Sequence, residues 1–178
     1  MKIILVNGMP TSGKTTFEEF CRNNEIPVEV FSTIRPIKNL AKEIGWNGQK
    51  TPKDRKFLSD LKDLCTKYCD YSINWIKKEI RASLFWLADD EEKAIFFIDI
   101  REPEEIERLK KEWNAKSLLI RRASVENNKQ SNHADTNVFQ CEYDYIIENN
   151  DTLEDLKKTA KEFIIKLNKE EWESKIDD

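Results

Sequence analysis

Two of the four glycines in the chain lie close together near its start, directly before a lysine and a threonine. Gly8 and Gly13 are five positions apart and Lys14 and Thr15 follow, which matches the pattern G-x-x-x-x-G-K-[ST]. Glycine lets the main chain curl until successive N–H groups point inward at an anion. The Lys14 ammonium is then placed for the β- and γ-phosphates, and the Thr15 hydroxyl for Mg²⁺. The segment therefore predicts a site for the triphosphate of a nucleotide.

The sequence on either side of this loop suits that interpretation. Residues 2–7 (KIILVN) are an apolar run typical of a strand buried in a parallel sheet, and residues 15–23 predict a helix. The N-terminus of that helix adds a partial positive charge to the anion site. We expect the triphosphate to be bound by Gly8, Pro10, Thr11, Ser12, Gly13, Lys14, Thr15 and Thr16.

A second chemically suggestive residue, Asp99, ends the apolar run 94–99 (AIFFID). Ligands of parallel α/β sheets bind beyond the carboxyl ends of the strands, so we expect Asp99 near the glycine-containing loop. Its carboxylate suits a direct or water-mediated contact with Mg²⁺, which makes Thr15 and Asp99 the predicted metal ligands. An N-cap of the helix that follows is the alternative role, and the two are compatible.

Strands and helical connections alternate along the chain. Further strands are predicted at 28–31, 94–100, 117–120 and 143–147, and further helices at 36–44, 52–88, 103–113 and 151–167. This alternation predicts an α/β fold of three layers, with a five-stranded parallel sheet covered by helices on both faces.

The longest predicted helical region, 52–88, begins at Thr51-Pro52 and is expected to form two helices broken near Asp70 or one bent helix. Its apolar residues recur at helical spacing and are predicted to be core: Phe57, Leu61, Leu64, Tyr68, Trp75, Ile76, Ile80, Leu84 and Leu87. The last helix is expected to start at Asp151, with Asp151 and Glu154 as a capping box.

Composition narrows the class of protein. The chain has 178 residues, a formal net charge of −4, 39% hydrophobic and 36% charged residues, and four cysteines without a CxxC pair. The length allows a core of ordinary size, and the free thiols are typical of a reducing compartment, so we expect a soluble cytoplasmic protein. Because the charge is mixed and slightly acidic, we expect it to bind neither a nucleic-acid polymer nor a membrane. Its predicted partners are small nucleotides.

Several short motifs together resemble one enzyme family. They are the loop at 8–15, Arg35-Pro36-Ile37-Lys38 at a helix start, Asp99-x-Arg101-x-Pro103-x-Glu105-Ile106, and Tyr145-Ile146-Ile147-x-Asn149 before Thr152-Leu153. In these motifs, scattered over residues 1–156, the chain resembles the phage and bacterial deoxynucleoside monophosphate kinases. These belong to the wider nucleoside monophosphate kinase group of P-loop proteins.

The resemblance implies a P-loop NTPase fold in a single kinase domain over residues 1–178, with ATP and Mg²⁺ as cofactors. Its core would span 1–34 and 93–170, with a helical acceptor-binding insertion over about 35–92 and a short lid over about 121–140. By the same resemblance Arg35, Lys38, Asp99 and Arg101 bind the acceptor, Lys14, Arg101, Arg121 and Arg122 are catalytic, and Asn149 borders the adenine. A homodimer is compatible with it, and no role is assigned to the Asn-rich segment 127–137 or to His133.

Transfer to a phosphate acceptor fits a chain that has one histidine and no recognisable catalytic triad. A phosphate monoester is already largely dianionic near neutral pH, so positioning and charge neutralisation suffice without a general base. A hydroxyl acceptor would need a base, and Asp99 could serve.

Two alternative functions stay open, a P-loop kinase of another small metabolite and a nucleotide-binding regulatory protein without transferase activity. No motif in the sequence identifies the base or the sugar of the acceptor.

Overall fold

The computed structural model describes residues 1–23, 25–87, 93–126, 137–139 and 141–176. Its elements, in chain order, are β1 (Lys2–Asn7), α1 (Lys14–Arg22), β2 (Val28–Ser32), α2 (Ile34–Glu43), α3 (Pro52–Cys69), α4 (Tyr71–Leu87), β3 (Ile95–Asp99), α5 (Pro103–Glu112), β4 (Lys116–Arg121), α6 (Ala123–Glu126), a 3-10 turn (Asn137–Phe139), β5 (Tyr145–Glu148) and α7 (Leu153–Lys169). None of the helices in these described ranges is long and apolar enough to cross a bilayer.

The strands form one sheet in the order β2-β3-β1-β4-β5. β1 pairs in parallel with both β3 and β4, and β4 pairs in parallel with β5. In this register Val6 of the central strand lies beside Asp99 on one side and Leu118 on the other. The predicted α/β fold, a five-stranded parallel sheet with helices on both faces, is confirmed.

Both faces of the sheet are covered. On one face, the β-strand residues Ile4, Val6, Phe97 and Ile120 pack with residues of α1 and α7 in a single apolar core. Phe17 of α1 anchors it, with its ring centroid 6.4 Å from that of Phe97. The alternate residues of the same strands, which point to the opposite face, are also buried: Ile3, Leu5, Phe96, Ile98 and Leu119. This two-sided burial explains why the strands read as continuous apolar runs.

The chain divides into two compact units. The first, residues 1–30 and 87–178, contains most of the sheet with α1, α5 and α7. The second, residues 31–86, has its own small core, to which α2 contributes Ile37 and Ala41 and α3 contributes Leu58.

Inside the second unit, α3 and α4 are separate helices because Asp70 adopts a left-handed conformation (φ 49°) between them. Of the two predicted alternatives, two helices broken near Asp70 is therefore the correct one. Thr51 caps α3 as predicted, and Asp54 completes a capping box.

The prediction that the apolar stripe of α3 is core is wrong for Phe57, Leu64 and Tyr68, whereas Leu61 is partly buried and packs against the small core of the second unit. Leu64 is 65% exposed and Tyr68 is 88% exposed, whereas Leu58 lies in the core. On α4 the stripe behaves as predicted at Ile76 and Ile80, which are fully buried.

Candidate phosphate-binding site

The loop between β1 and α1 has a geometry that requires glycine at two positions. Gly13 is the residue before α1 and has a left-handed φ of 96°. Gly8 has a φ of 150°, and a Cβ there would lie 2.4 Å from the carbonyl oxygen of Ile120. Both glycines of the motif are thus dictated by backbone conformation or close contact. The loop leads directly into the N-terminal turn of α1, where N–H groups and the helix dipole favour an anion.

The Lys14 side chain folds back across this loop. Its Nζ donates to the carbonyl of Gly8 at 2.6 Å and to that of Met9 at 3.2 Å. These two carbonyls thereby hold the ammonium against the main chain of the loop. A phosphate oxygen is a stronger acceptor for this group than a neutral carbonyl, because both partners are then charged.

The carboxyl end of β3 lies next to the start of the loop. Asp99 is the register neighbour of Val6, and the amide of Ile100 donates to the Val6 carbonyl at 3.0 Å. Two residues after Asp99, the carbonyl of Arg101 accepts a hydrogen bond from Asn7 Nδ2 at 3.3 Å. The structure therefore brings Asp99 and the main chain of Arg101 to the sheet edge from which the phosphate loop rises.

Glu18 is a member of this site that sequence reasoning missed. It lies on α1 one turn after Lys14 and is only 3% exposed. Burial, followed by the charge of Asp99 and a hydrogen bond with it, raises the pKa of Glu18 to about 8, against an opposing effect of Lys14 and Arg22. The i, i+4 spacing from Lys14 was a usable signal, because such residues share one helix face.

The donor set at this edge is one that Mg²⁺ can use. Mg²⁺ prefers hard oxygen ligands and is usually held by one or two carboxylates together with substrate phosphates. Asp99 supplies a carboxyl oxygen, Glu18 would add a second once the cation displaces its proton, and Thr15 supplies an exposed hydroxyl at the first turn of α1. In the described part of the chain no group of three or more His, Cys, Asp or Glu side chains could hold a metal alone. The residues therefore fit an ion that arrives with a nucleotide.

Asn7, another residue that the sequence analysis overlooked, joins three segments around the loop. Its side chain is fully buried, and its Oδ1 accepts from the amide of Gly8 at 2.8 Å. Its Nδ2 donates to Tyr143 Oη at 2.9 Å as well as to the Arg101 carbonyl. Tyr143 in turn donates to the Val138 carbonyl at 2.6 Å, and burial raises the pKa of its phenol. Asn7 thus fixes the start of the phosphate loop to the segments that follow β3 and precede β5.

Asn149 is buried in contact with the phosphate loop. The residue follows β5, is only 9% exposed, and its Nδ2 donates to the carbonyl of Ser12 at 2.8 Å. Its backbone N–H donates to the carbonyl of Arg121 at 2.7 Å, which extends the β4–β5 pairing by one residue.

The predicted lid arginines lie at the end of β4. The Arg121 guanidinium makes two hydrogen bonds to Glu126, at 2.8 and 2.9 Å, and lies 3.3 Å from a carboxylate oxygen of Glu148. The hydrogen bonds with Glu126 raise the pKa of Arg121. Arg122 is exposed. Most of the predicted lid, including His133, lies outside the described residues.

The two remaining predicted acceptor residues belong to the second unit. Arg35 and Lys38 are both on α2, where Arg35 is exposed and Lys38 is half-buried. The Arg35 guanidinium carbon lies 5.9 Å from the ring centroid of Trp75, close enough for a cation–π contact.

No family model matches the chain, and neither does any curated protein sequence. The chain is similar to solved structures over most of its length. Dephospho-CoA kinase from Campylobacter jejuni is 18% identical with a TM-score of 0.49, over 95% of this chain and 98% of that one. Shikimate kinase from Aquifex aeolicus is 13% identical with a TM-score of 0.47, over 93% of this chain and 97% of that one. Shikimate kinase from Bacteroides thetaiotaomicron is 16% identical with a TM-score of 0.43, over 93% of this chain and 97% of that one.

Proposed function

We propose that this chain is an ATP-dependent phosphotransferase that converts a (deoxy)nucleoside monophosphate to the diphosphate by direct in-line transfer of the γ-phosphoryl group. The observation that supports it most is the loop 8–15, which has the glycine geometry of a phosphate cradle at the end of a central parallel strand. Asp99 and Glu18 lie beside it, where a phosphate-bound cation would need carboxyl oxygens.

ATP binding in this proposal uses groups that the loop already presents. The N–H groups of the loop and of the first turn of α1 receive the triphosphate, and the Lys14 ammonium exchanges its carbonyl partners for β- and γ-phosphate oxygens. Thr15 and Asp99 would hold Mg²⁺, which when bound neutralises charge that develops on the phosphate oxygens.

The acceptor phosphate is assigned to Arg101. Its main chain is fixed by Asn7 at the same sheet edge as the loop, so its side chain starts from a defined point. An arginine suits this task because its planar guanidinium can bind two phosphate oxygens at once. The roles of Arg35 and Lys38 in acceptor binding, and of Arg121 and Arg122 in closing over the phosphates, stay predictions from the resemblance.

A second candidate, a kinase that phosphorylates a hydroxyl group of a small metabolite, is favoured by one feature. Asp99 and Glu18 form a carboxyl pair beside the loop, and a hydroxyl acceptor needs a base to take its proton. A phosphate acceptor would use the same pair only for binding the cation.

An acceptor panel separates these functions. Purified protein with MgATP and a set of ribo- and deoxyribonucleoside monophosphates is expected to form ADP with at least one of them. ADP formation only with hydroxyl-bearing metabolites would favour the second candidate and reject the first. MgATP binding without turnover stimulated by either panel would instead indicate a regulatory nucleotide-binding protein.

Replacing Arg101 with alanine is expected to raise the KM for the acceptor about ten- to a hundredfold, since a lost charged hydrogen bond to phosphate is worth about that factor. The KM for ATP should change less than about twofold, because ATP is held by the loop and not by Arg101. Initial rates with the acceptor found in the panel measure both constants. Lys111→Ala, which removes a positive charge from the exposed face of α5, is the control and should change neither. Equal rises in both constants would contradict the assignment of Arg101.

A further inference from the structure

The side-chain amide of Asn149 is bonded to the main chain of the phosphate loop. Its Nδ2 lies 2.8 Å from the carbonyl oxygen of Ser12, and both residues are buried. Asn149 itself is held by the sheet, because its N–H donates to the Arg121 carbonyl at 2.7 Å. The bond therefore connects the loop to a fixed point on the β4–β5 pair.

The loop is shaped to receive this amide. A Cβ placed on Gly13 would lie 2.2 Å from Asn149 Nδ2, which is far inside contact distance. The glycine before Lys14 is thus needed for two reasons, its left-handed φ of 96° and the space that the amide occupies. A ligand-facing loop residue and a residue 136 positions later along the chain are in this way packed against each other.

The Ser12–Gly13 peptide links that contact to the phosphate site. In a trans peptide the C=O and N–H point in opposite directions, and the described residues contain no cis peptide bond. A carbonyl of Ser12 that points at Asn149 therefore directs the N–H of Gly13 away from Asn149. Glycine offers little resistance to rotation of this peptide, so the orientation needs an external hold.

We propose that Asn149 is a positioning residue of the phosphate site: by holding the Ser12 carbonyl, its amide aims the Gly13 N–H at the bound triphosphate. This inference rests on the proposed function, since it takes the loop to be the ATP site. It differs from the adenine contact that the family resemblance implies for Asn149. Here the residue acts on ATP through the loop main chain, with its amide donor as the acting group.

Two substitutions separate a donor from a space-filling side chain. Asn149→Asp keeps the shape but places an acceptor oxygen against the Ser12 carbonyl, whereas Asn149→Ala removes the group. If the amide acts as a donor, MgATP should bind about tenfold more weakly to the alanine variant and about a hundredfold more weakly to the aspartate variant. If the side chain only fills space, aspartate should bind like asparagine and alanine should be the weaker variant, which would overturn the proposal.

The matched control is Asn150→Asp, because Asn150 is the next residue, carries the same amide and is exposed. Isothermal titration with MgATP measures affinity, and thermal unfolding of the ligand-free proteins checks that each variant folds. In steady-state kinetics the variants at 149 should raise the KM for ATP and leave the KM for the acceptor unchanged. A loss of affinity in the control that equals the loss in Asn149→Asp would overturn the proposal.

The chain offers a direct probe of the peptide, since it contains only four glycines. In protein labelled with ¹⁵N-glycine, both substitutions at 149 should shift the amide resonance of Gly13 without any ligand, while those of Gly45 and Gly48 in the second unit stay in place. An unmoved Gly13 resonance would overturn the proposal. If wild-type protein binds no MgATP, it is the proposed function that fails. If wild-type protein binds MgATP and both variants at 149 bind it as tightly as wild type, the positioning role fails and the proposed function stands.

Discussion

Replacing Lys14 with alanine is expected to lower phosphoryl transfer about 10³-fold, because removing one preorganised donor to transition-state charge typically costs about 10²–10³ and this donor is also a full positive charge. The structure places its Nζ within 3.2 Å of two loop carbonyls, so the ammonium already lies against the loop before a nucleotide binds. Affinity for MgATP should fall together with the rate. A coupled ADP assay with the best acceptor, and a titration with MgATP, measure the two effects.

The fold should survive this substitution, because Lys14 is half-buried and losing its donor to the buried Gly8 and Met9 carbonyls costs about 1–3 kcal/mol. Thermal unfolding of Lys14→Ala is therefore compared with that of Lys161→Ala, which removes a charge from the exposed face of α7. Lys14→Arg keeps the charge and alters its geometry, and should recover part of the affinity but little of the rate. Full activity in Lys14→Ala would mean that the loop does not bind the transferred phosphate.

The parts of this molecule that could be predicted from the sequence are those fixed by local pattern. The strand, glycine loop and helix of residues 2–22 follow from an apolar run and a spaced motif, and the sheet edge shared by Val6 and Asp99 follows from the rules of parallel α/β sheets. What each loop residue contacts was not predictable in the same way. The role of Asn7 and the contact of Asn149 with the loop are recognisable only once distant segments have been brought together.

The two wrong predictions have one physical cause each. Helical spacing shows that Phe57, Leu64 and Tyr68 share a face of α3, but it does not show that another element covers that face, and Leu58 is buried in their place. At the start of α7, the cap is Thr152 with Asp155 rather than Asp151 with Glu154. Both pairs have the spacing of a capping box, so sequence alone leaves the register open by one residue.

A different kind of result is expected for Glu18, namely a change in the pH dependence of folding stability. Burial and the neighbouring Asp99 raise the pKa of Glu18 to about 8, well above the ordinary value of 4.5 that the unfolded chain should show. Between these two values the folded protein keeps a proton that the unfolded chain releases. The resulting contribution to stability is complete below about pH 4.5 and is lost as the pH rises through 8.

Glu18→Gln should remove this contribution, since an amide is neutral at every pH. The free energy of unfolding of the variant, relative to wild type, is therefore expected to rise by roughly 2–4 kcal/mol between pH 5 and pH 9, at about 1.4 kcal/mol for each unit of pKa difference. Urea unfolding of both proteins at one-unit pH intervals, in magnesium-free buffer, measures the difference directly. Ionisable groups that do not interact with Glu18 titrate alike in both proteins and cancel, so the measured difference belongs to Glu18 together with its partner Asp99.

The control for this experiment is Glu19→Gln, because Glu19 is the next residue of α1 and its side chain is exposed. Its stability should follow wild type across the whole pH range. Parallel curves for wild type and Glu18→Gln would contradict the expectation, and would mean that Glu18 is ionised in the folded protein at neutral pH. An ionised carboxylate there, beside Asp99, would need a positive charge to balance it, and Lys14 is the first candidate because its charge is the largest effect that opposes the upward shift of the Glu18 pKa. In that case Lys14→Ala should lose stability relative to wild type between pH 5 and pH 7, a range in which a protonated Glu18 would leave the difference between these two proteins unchanged.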